Sequence, residues 1–351
     1  MNEFLDTAYD LWRAGAVQKP ADECFKTVFE AIASLQAVHS KSQLDLNNIE
    51  SVFTTFEMAK TIGRFPGKAE KEIEDLIRAL KVLIVQTLEK TVRFPYESRE
   101  IKSPLPYDEF AGLLRHLKEN TRPLQRVSII TFNYDIAPDY ALYRKGFVAD
   151  YGLDDKAPVE ESIPLLKLHG SMNWSETISS VHEKAVIPWT MGEYWAGKGQ
   201  LSSHFKGKYC HVPIGSELIE MSTMHKKLVT GEAVLVPPTW NKAETHRTLS
   251  KVWNRAATKL SEAENIFVIG YSMPETDAFF RYLYALGTVG DVLLKRFWVF
   301  DPDDSGRVKQ RFEALLGPQA KARFNYNQMA FLEAIAMLKD KFPERDAGAF
   351  G

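Results

Sequence analysis

Cysteine is scarce in this chain: its 351 residues include only Cys24 and Cys210. Two thiols cannot build a disulfide framework or a four-cysteine zinc centre, and such sparing use suits a reducing cytoplasm. Long apolar runs are absent too. A membrane span needs about 18 residues, and the longest run of note, Val82–Val85, lies inside a charged amphipathic pattern. No secretory leader is expected, because Asn2, Glu3, Asp6 and Asp10 occupy the places of a basic and an apolar region. Neither sign of charge dominates. The formal net charge is -2, which gives no bulk attraction to nucleic acid or to anionic lipid. These absences predict a cytoplasmic protein with neither nucleic acid nor membrane as a partner.

Two glycine signatures are also missing. The chain has no Gly-x-Gly-x-x-Gly and no P-loop, and Ala14-Gly15-Ala16 follows no strand. A serine-hydrolase elbow is excluded as well. It needs glycine two residues after the serine, yet Pro274 follows Ser272 at that distance, and the last histidine, His246, precedes it.

What remains is a globular composition, 45% hydrophobic and 26% charged. The first third reads as helical. Ile49, Val52, Phe53 and Phe56 share a helix face behind Asn48 as N-cap. Ile73–Val92 carries a longer stripe, and Phe110, Leu113, Leu114 and Leu117 make another that ends near Asn120. From Val127 the character changes. Val127–Phe132, Leu165–Leu168, Ala233–Val236, Ile266–Ile269 and Phe297–Phe300 are short apolar runs that read as buried strands. Helical stripes alternate with the later ones: Leu249–Leu260, Phe279–Leu286 closed by Gly287, and Val308–Leu316 closed by Gly317. Such alternation predicts an α/β fold, a parallel sheet with helical cover. The expected division is a helical region over 1–123, an α/β core over 124–174 and 233–317, an irregular insertion or small subdomain over 175–232, and a C-terminal helix and tail over 318–351.

Three strand ends carry polar groups. Thr131-Phe-Asn133-Tyr-Asp135 offers an amide able to hold a ribose hydroxyl and a water, with a carboxylate beside it. The same two residues also suit a turn or a helix cap. His169-Gly170-Ser171 offers an imidazole suited to general base work and a glycine that lets a ligand come near the backbone. A histidine in that place can equally be structural. Gly270-Tyr-Ser272-Met-Pro274 lies between a strand and a helix, and with Asp301, at the end of the fifth strand, it reads as a phosphate- or ribose-contacting group. His204, Cys210, His211 and His225 match no common zinc spacing and read as scattered histidines beside a thiol.

Taken in order, Thr131–Asp135, Lys167-Leu-His169-Gly170-Ser-Met-Asn173-Trp174 and Gly270–Asp277 resemble the sirtuin-like domain of bacterial NAD-consuming proteins. Asn48–Phe53 resembles a helix of that family, and the likeness runs from the first helix to about Phe312. The resemblance implies a Rossmann-like parallel sheet with helices on both faces, a helical N-terminal region and an irregular insertion. It implies NAD as the substrate, cleaved to nicotinamide and ADP-ribose, with Asn133, His169 and Asp135 as the catalytic group. Thr131, Gly170, Ser171, Gly270, Ser272 and Asp301 would bind the dinucleotide. Deacylating members carry a four-cysteine zinc module where this chain has Ser175–Glu232 with one cysteine, so no zinc is expected. Relatives without that module, in bacterial anti-phage systems, resemble NAD hydrolases. The family also opens with a strand and a Gly-Ala-Gly-x-Ser loop, whereas this sequence opens on the helix that would follow, Phe4–Trp12. An upstream segment is the expected source of that loop. The alternative is a degenerate module that binds ADP-ribose, NAD or a protein partner, with a homo-oligomer or a defence-system protein as possible company. Protein deacylation is the least favoured.

Overall fold

The computed structural model describes residues 2–37, 44–121, 124–155, 159–178, 185–198, 205–236, 243–274 and 278–343. The chain opens with helices α1 (Asn2–Arg13), α2 (Ala21–Ala37), α3 (Ile49–Ile62) and α4 (Glu70–Thr91). Strands β1 (Phe94–Glu97) and β2 (Glu100–Ile101), helix α5 (Leu105–Glu119), strand β3 (Ile129–Thr131) and helix α6 (Ala137–Arg144) follow. Next come β4 (Val148–Asp150), β5 (Ser162–Lys167), β6 (Gly170–Thr177), β7 (Val186–Pro188), α7 (Met191–Lys198), β8 (Phe205–Lys206), β9 (Tyr209–Cys210), α8 (Leu218–His225) and β10 (Val229–Leu235). The last stretch holds α9 (Ala243–Ser261), β11 (Asn265–Ile269), α10 (Ala278–Gly287), β12 (Arg296–Phe300), α11 (Arg307–Leu315), α12 (Pro318–Lys321), β13 (Phe324–Asn327) and α13 (Phe331–Lys341).

These elements group into two compact units. The first comprises Met1–Ile101, Phe132–Ile136 and His169–Thr248; the second comprises Lys102–Thr131, Ala137–Leu168 and Leu249–Gly351. In the first unit, Asn48 does cap α3: its side chain accepts from the Glu50 amide at 2.9 Å. Gly63, at φ 63°, closes that helix in the left-handed region that glycine enters without strain. Helix α4 buries Ile73, Leu76, Ile77, Leu80, Leu83 and Ile84 at helical spacing and packs against α2 and α3. Two antiparallel sheets complete the unit, ordered β10-β6-β7 and β2-β1-β9-β8. The Ala233–Val236 run therefore belongs to an antiparallel pair with β6 and not to a parallel sheet. An apolar run reports burial and says nothing of the direction of its partner.

The second unit holds the parallel strands. One sheet runs β3-β5-β4 and the other β11-β12-β13, every neighbouring pair parallel. Leu113 and Leu117 of α5 join Phe300 and the Ala334, Ile335 and Leu338 face of α13 in one buried cluster. Gly287 ends α10 for a reason other than a left-handed cap: a Cβ there would stand 3.0 Å from the Ala257 backbone, so the glycine lets the helix lie close against α9. The architecture is a mixed α/β fold with parallel sheets and thirteen helices among the described residues. No helix among them is long and apolar enough to cross a membrane.

Candidate functional site

The residues singled out from sequence fall into both units. Asn133, Asp135, His169, Gly170 and Ser171 lie in the first; Thr131, Gly270, Ser272 and Asp301 lie in the second.

In the first unit, the segment 132–136 is tied to the start of β6. The Met172 amide donates to the Tyr134 carbonyl at 3.1 Å, and the Ser171 hydroxyl donates to the same oxygen at 3.2 Å. Tyr134 in turn donates its hydroxyl to the Val236 carbonyl at 2.8 Å, while the Val236 amide donates to the His169 carbonyl at 2.9 Å. His169 is packed between aromatic neighbours. Phe132 meets its ring edge-on at 5.0 Å and Tyr134 lies tilted at 6.3 Å. The imidazole is buried, 3% exposed, whereas Asn133, between those two aromatics in sequence, is exposed and Asp135 half-buried. Ser171 is fully buried, and its hydroxyl also lies 2.6 Å from Asn173 Oδ1, so its one proton is shared between the two acceptors. Asn173 passes the chain of bonds on to the Trp189 carbonyl at 2.7 Å.

Gly170 serves packing. At φ 84°, its missing Cβ would stand 2.0 Å from the Val234 carbonyl oxygen, so glycine is what lets β10 approach β6. The space that the sequence reading assigned to a ligand is occupied there by protein backbone.

In the second unit, Gly270, Ser272 and Asp301 lie beyond the carboxyl ends of β11 and β12, where open parallel sheets place ligands. The register pairs Ile269 with Phe300 and Phe300 with Asn327. Gly270 and Asp301 are therefore the next residues out on adjacent strands, and the Gly270 amide donates to the Phe300 carbonyl at 2.9 Å. Gly270 sits at φ 65°, and among the described residues nothing beyond its chain neighbours lies within 4 Å of where a Cβ would be. Its backbone is thus open on that side. Three residues on, Met273 adopts φ 47° while fully buried. A non-glycine residue in that region stores about 1–3 kcal/mol of strain, which the surrounding packing must hold. Arg311 of α11 contributes, donating to the Ser272 carbonyl at 3.1 Å. Ser272 thus touches this network through its backbone.

Asp301 is buried and accepts the Asp303 amide at 2.9 Å. The Tyr326 hydroxyl donates to the carbonyls of Asp301 at 3.3 Å and Asp303 at 2.9 Å. Asp303 accepts the amides of Val308 at 3.0 Å and Ser305 at 3.2 Å, which fixes the entry to α11. The bonds from Ser305 and Val308 hold its carboxyl below the usual carboxylate range. Thr131 ends β3 opposite Lys167, and its carbonyl accepts the Leu168 amide at 2.9 Å.

Among the described residues, no group of three or more His, Cys, Asp or Glu could hold a metal ion. His204 lies outside the described residues. Cys210 donates to its neighbour's carbonyl, and burial pushes its thiol up to about 11, so it is a poor thiolate. His211 is pushed down by burial and bonds the Glu89 carbonyl at 3.0 Å. His225 lies tilted against the buried Trp189 at 5.4 Å.

Sequence reasoning passed over Tyr134, Asn173, Arg311 and Tyr326, whose polar atoms tie these segments together. It also passed over Lys167, although a lysine inside the apolar Leu165–Leu168 run is a visible signal, since a charge in a buried strand demands a buried partner. No protein-family model matches the chain, and no curated protein matches it.

Proposed function

We propose that this chain is a sirtuin-like α/β protein that binds NAD and hydrolyses its nicotinamide–ribose bond, giving nicotinamide and ADP-ribose. The observation that carries the reading is the end of the β11-β12-β13 sheet. There an open glycine backbone, a strained buried loop and a buried aspartate stand on adjacent strand ends. An open backbone suits close approach of a ribose or phosphate, and a carboxylate at the next strand end suits a ribose hydroxyl. The ordered motifs at Thr131–Asp135, Lys167–Trp174 and Gly270–Asp277 supply the link to NAD.

In this reading the C1′–N bond breaks with its electron pair leaving on neutral nicotinamide. The ribose passes through an oxocarbenium-like state, and water adds at C1′. Asn133 positions that water, His169 takes its proton, and Asp135 orients Asn133. The setting that goes with this chemistry is NAD depletion in the cytoplasm of a bacterium under phage attack.

A second reading is favoured by one observation. His169 is 3% exposed and enclosed by Phe132 and Tyr134, a setting that suits a structural imidazole. In that reading the chain binds NAD or ADP-ribose without cleaving it. Incubation with NAD and chromatography of released nicotinamide separates the two. Hydrolysis that Asp301→Ala abolishes and His225→Ala leaves intact supports the first; binding without nicotinamide release supports the second.

A further inference from the structure

One buried charge cluster has no part in the chemistry above. Lys167, the last residue of β5, pairs through Nζ with Asp139 Oδ2 at 2.6 Å, and the two side chains are 0% and 1% exposed. Tyr151 donates its hydroxyl to the other oxygen, Asp139 Oδ1, at 2.7 Å and is itself buried. All three belong to the second unit. Charges withdrawn from water this completely are stable only when paired and hydrogen-bonded, and apolar residues of like volume often serve stability as well. An ion pair is thus an uneconomical choice if stability alone is at stake.

Its position in the chain suggests what else it does. Asp139 lies three residues beyond Ile136, and Lys167 two residues before His169. Ile136/Ala137 and Leu168/His169 are two of the points where the chain passes between its compact units. The segments entered there, 132–136 and 169–172, are the ones joined by the Met172 amide and the Ser171 hydroxyl on the Tyr134 carbonyl. On the near side, the Leu168 amide is bonded to the Thr131 carbonyl.

We propose that Lys167, Asp139 and Tyr151 form a positioning triad: by clamping the end of β5 to the first turn of α6, they fix the backbone at Ala137 and Leu168, the residues to which the segments carrying Asn133, Asp135 and His169 are covalently joined. The roles of those three residues rest on the NAD reading; the clamp on their backbone does not. A salt bridge suits this task because it is directional. The ammonium and hydroxyl must meet the carboxylate along set lines, whereas an apolar pair of equal volume can slide.

The test is residue-resolved amide hydrogen exchange on the full chain, with thermal melting alongside. Lys167→Met and Asp139→Leu together replace the charges by apolar groups of similar size. The expected result is a melting temperature near that of the wild type with exchange at the Leu168 and Met172 amides at least about tenfold faster, while β11 and β12 amides are unchanged. Recovery of both melting temperature and exchange would reduce the triad to ordinary core and overturn the proposal. Should the double variant fail to fold, Tyr151→Phe removes one hydrogen bond and no charge. It should speed exchange at the same two amides, and unchanged protection there overturns the proposal. Nicotinamide release by the double variant adds a separate reading: faster exchange with lowered kcat ties the clamp to the chemistry. Faster exchange in a chain that never hydrolyses NAD leaves the clamp supported and removes the NAD reading.

Discussion

Glu89 in the first compact unit and Asp139 in the second are both buried carboxylates, and the two are held differently. In the second unit Asp139 has a counter-charge at 2.6 Å and a phenol at 2.7 Å. In the first, Glu89 of α4 is 5% exposed and rests on the loop 215–216. It accepts the Ser216 amide at 2.8 Å and is met by the Ser216 hydroxyl. Gly215 makes room for it, because a Cβ there would stand 2.7 Å from Val85 and 3.2 Å from Glu89 Oε1. Around it lie Glu217, bonded by Tyr194 at 2.8 Å, and His211 on the Glu89 carbonyl. Burial pushes Glu89 up to about 7, outweighing the bonds from Ser216 and Gly215, and Glu217 adds to the rise. The lesson is that neutral donors alone do not hold a buried carboxyl in its charged form near neutrality.

The largest effect expected from this contrast is the loss of one charge of the pair. Lys167→Met leaves Asp139 buried without its cation and should cost about 3–5 kcal/mol in denaturant unfolding, whereas Lys167→Met with Asp139→Leu should recover most of that. A single variant as stable as the wild type would remove the distinction between the two sites.

Next comes a pH effect confined to the first unit. The folded Glu89 value, about 7, lies above the ordinary 4.5 of the unfolded chain, so the folded state holds its proton more tightly. Its contribution is therefore complete below about 4.5 and is lost as pH rises through about 7, a change of about 3 kcal/mol in all. Denaturant unfolding from pH 4.5 to 8 should show stability falling, and Glu89→Gln should flatten that part of the curve. A Gln variant with the wild-type slope would assign the fall to other groups.

The smallest effect is at Ser216. Ser216→Ala removes one hydroxyl from Glu89 and keeps the backbone donor, so it should cost about 0.5–1.5 kcal/mol. With one fewer bond to the charged form, Glu89 should rise further and the pH fall should shift upward. A downward shift would show that the hydroxyl stabilises the protonated acid.

How much of this was readable in the residues depended on the kind of signal. The runs at Ile266–Ile269 and Phe297–Phe300 are short, β-branched or aromatic and bounded by polar residues, and they form β11 and β12 where expected. Gly270 follows β11 at φ 65°, a conformation that a glycine placed just after an apolar run can announce. Gly170 misled, because the same residue type lets either a ligand or a neighbouring strand come close, and only the Val234 carbonyl tells which. The β1-β2 hairpin was silent: its turn places Ser98 and Arg99 at φ 52° and 65° without glycine or asparagine to announce it. Pro95 lies inside β1, where its missing N–H makes a strand hard to foresee. Glu89 was silent too. It sits in an amphipathic helix beside Lys90, where a glutamate is ordinarily solvated, and its burial comes from a loop more than a hundred residues away in sequence.

The central claim is that this chain binds NAD and breaks its glycosidic bond with His169 as base. The most direct measurement pairs NAD calorimetry with nicotinamide release for wild type and His169→Ala, with folding checked by circular dichroism. The account predicts that the variant keeps its fold and its affinity while the rate falls by about two to four orders of magnitude, the usual loss of a positioned base. Hydrolysis by the wild type that continues undiminished in His169→Ala would contradict it.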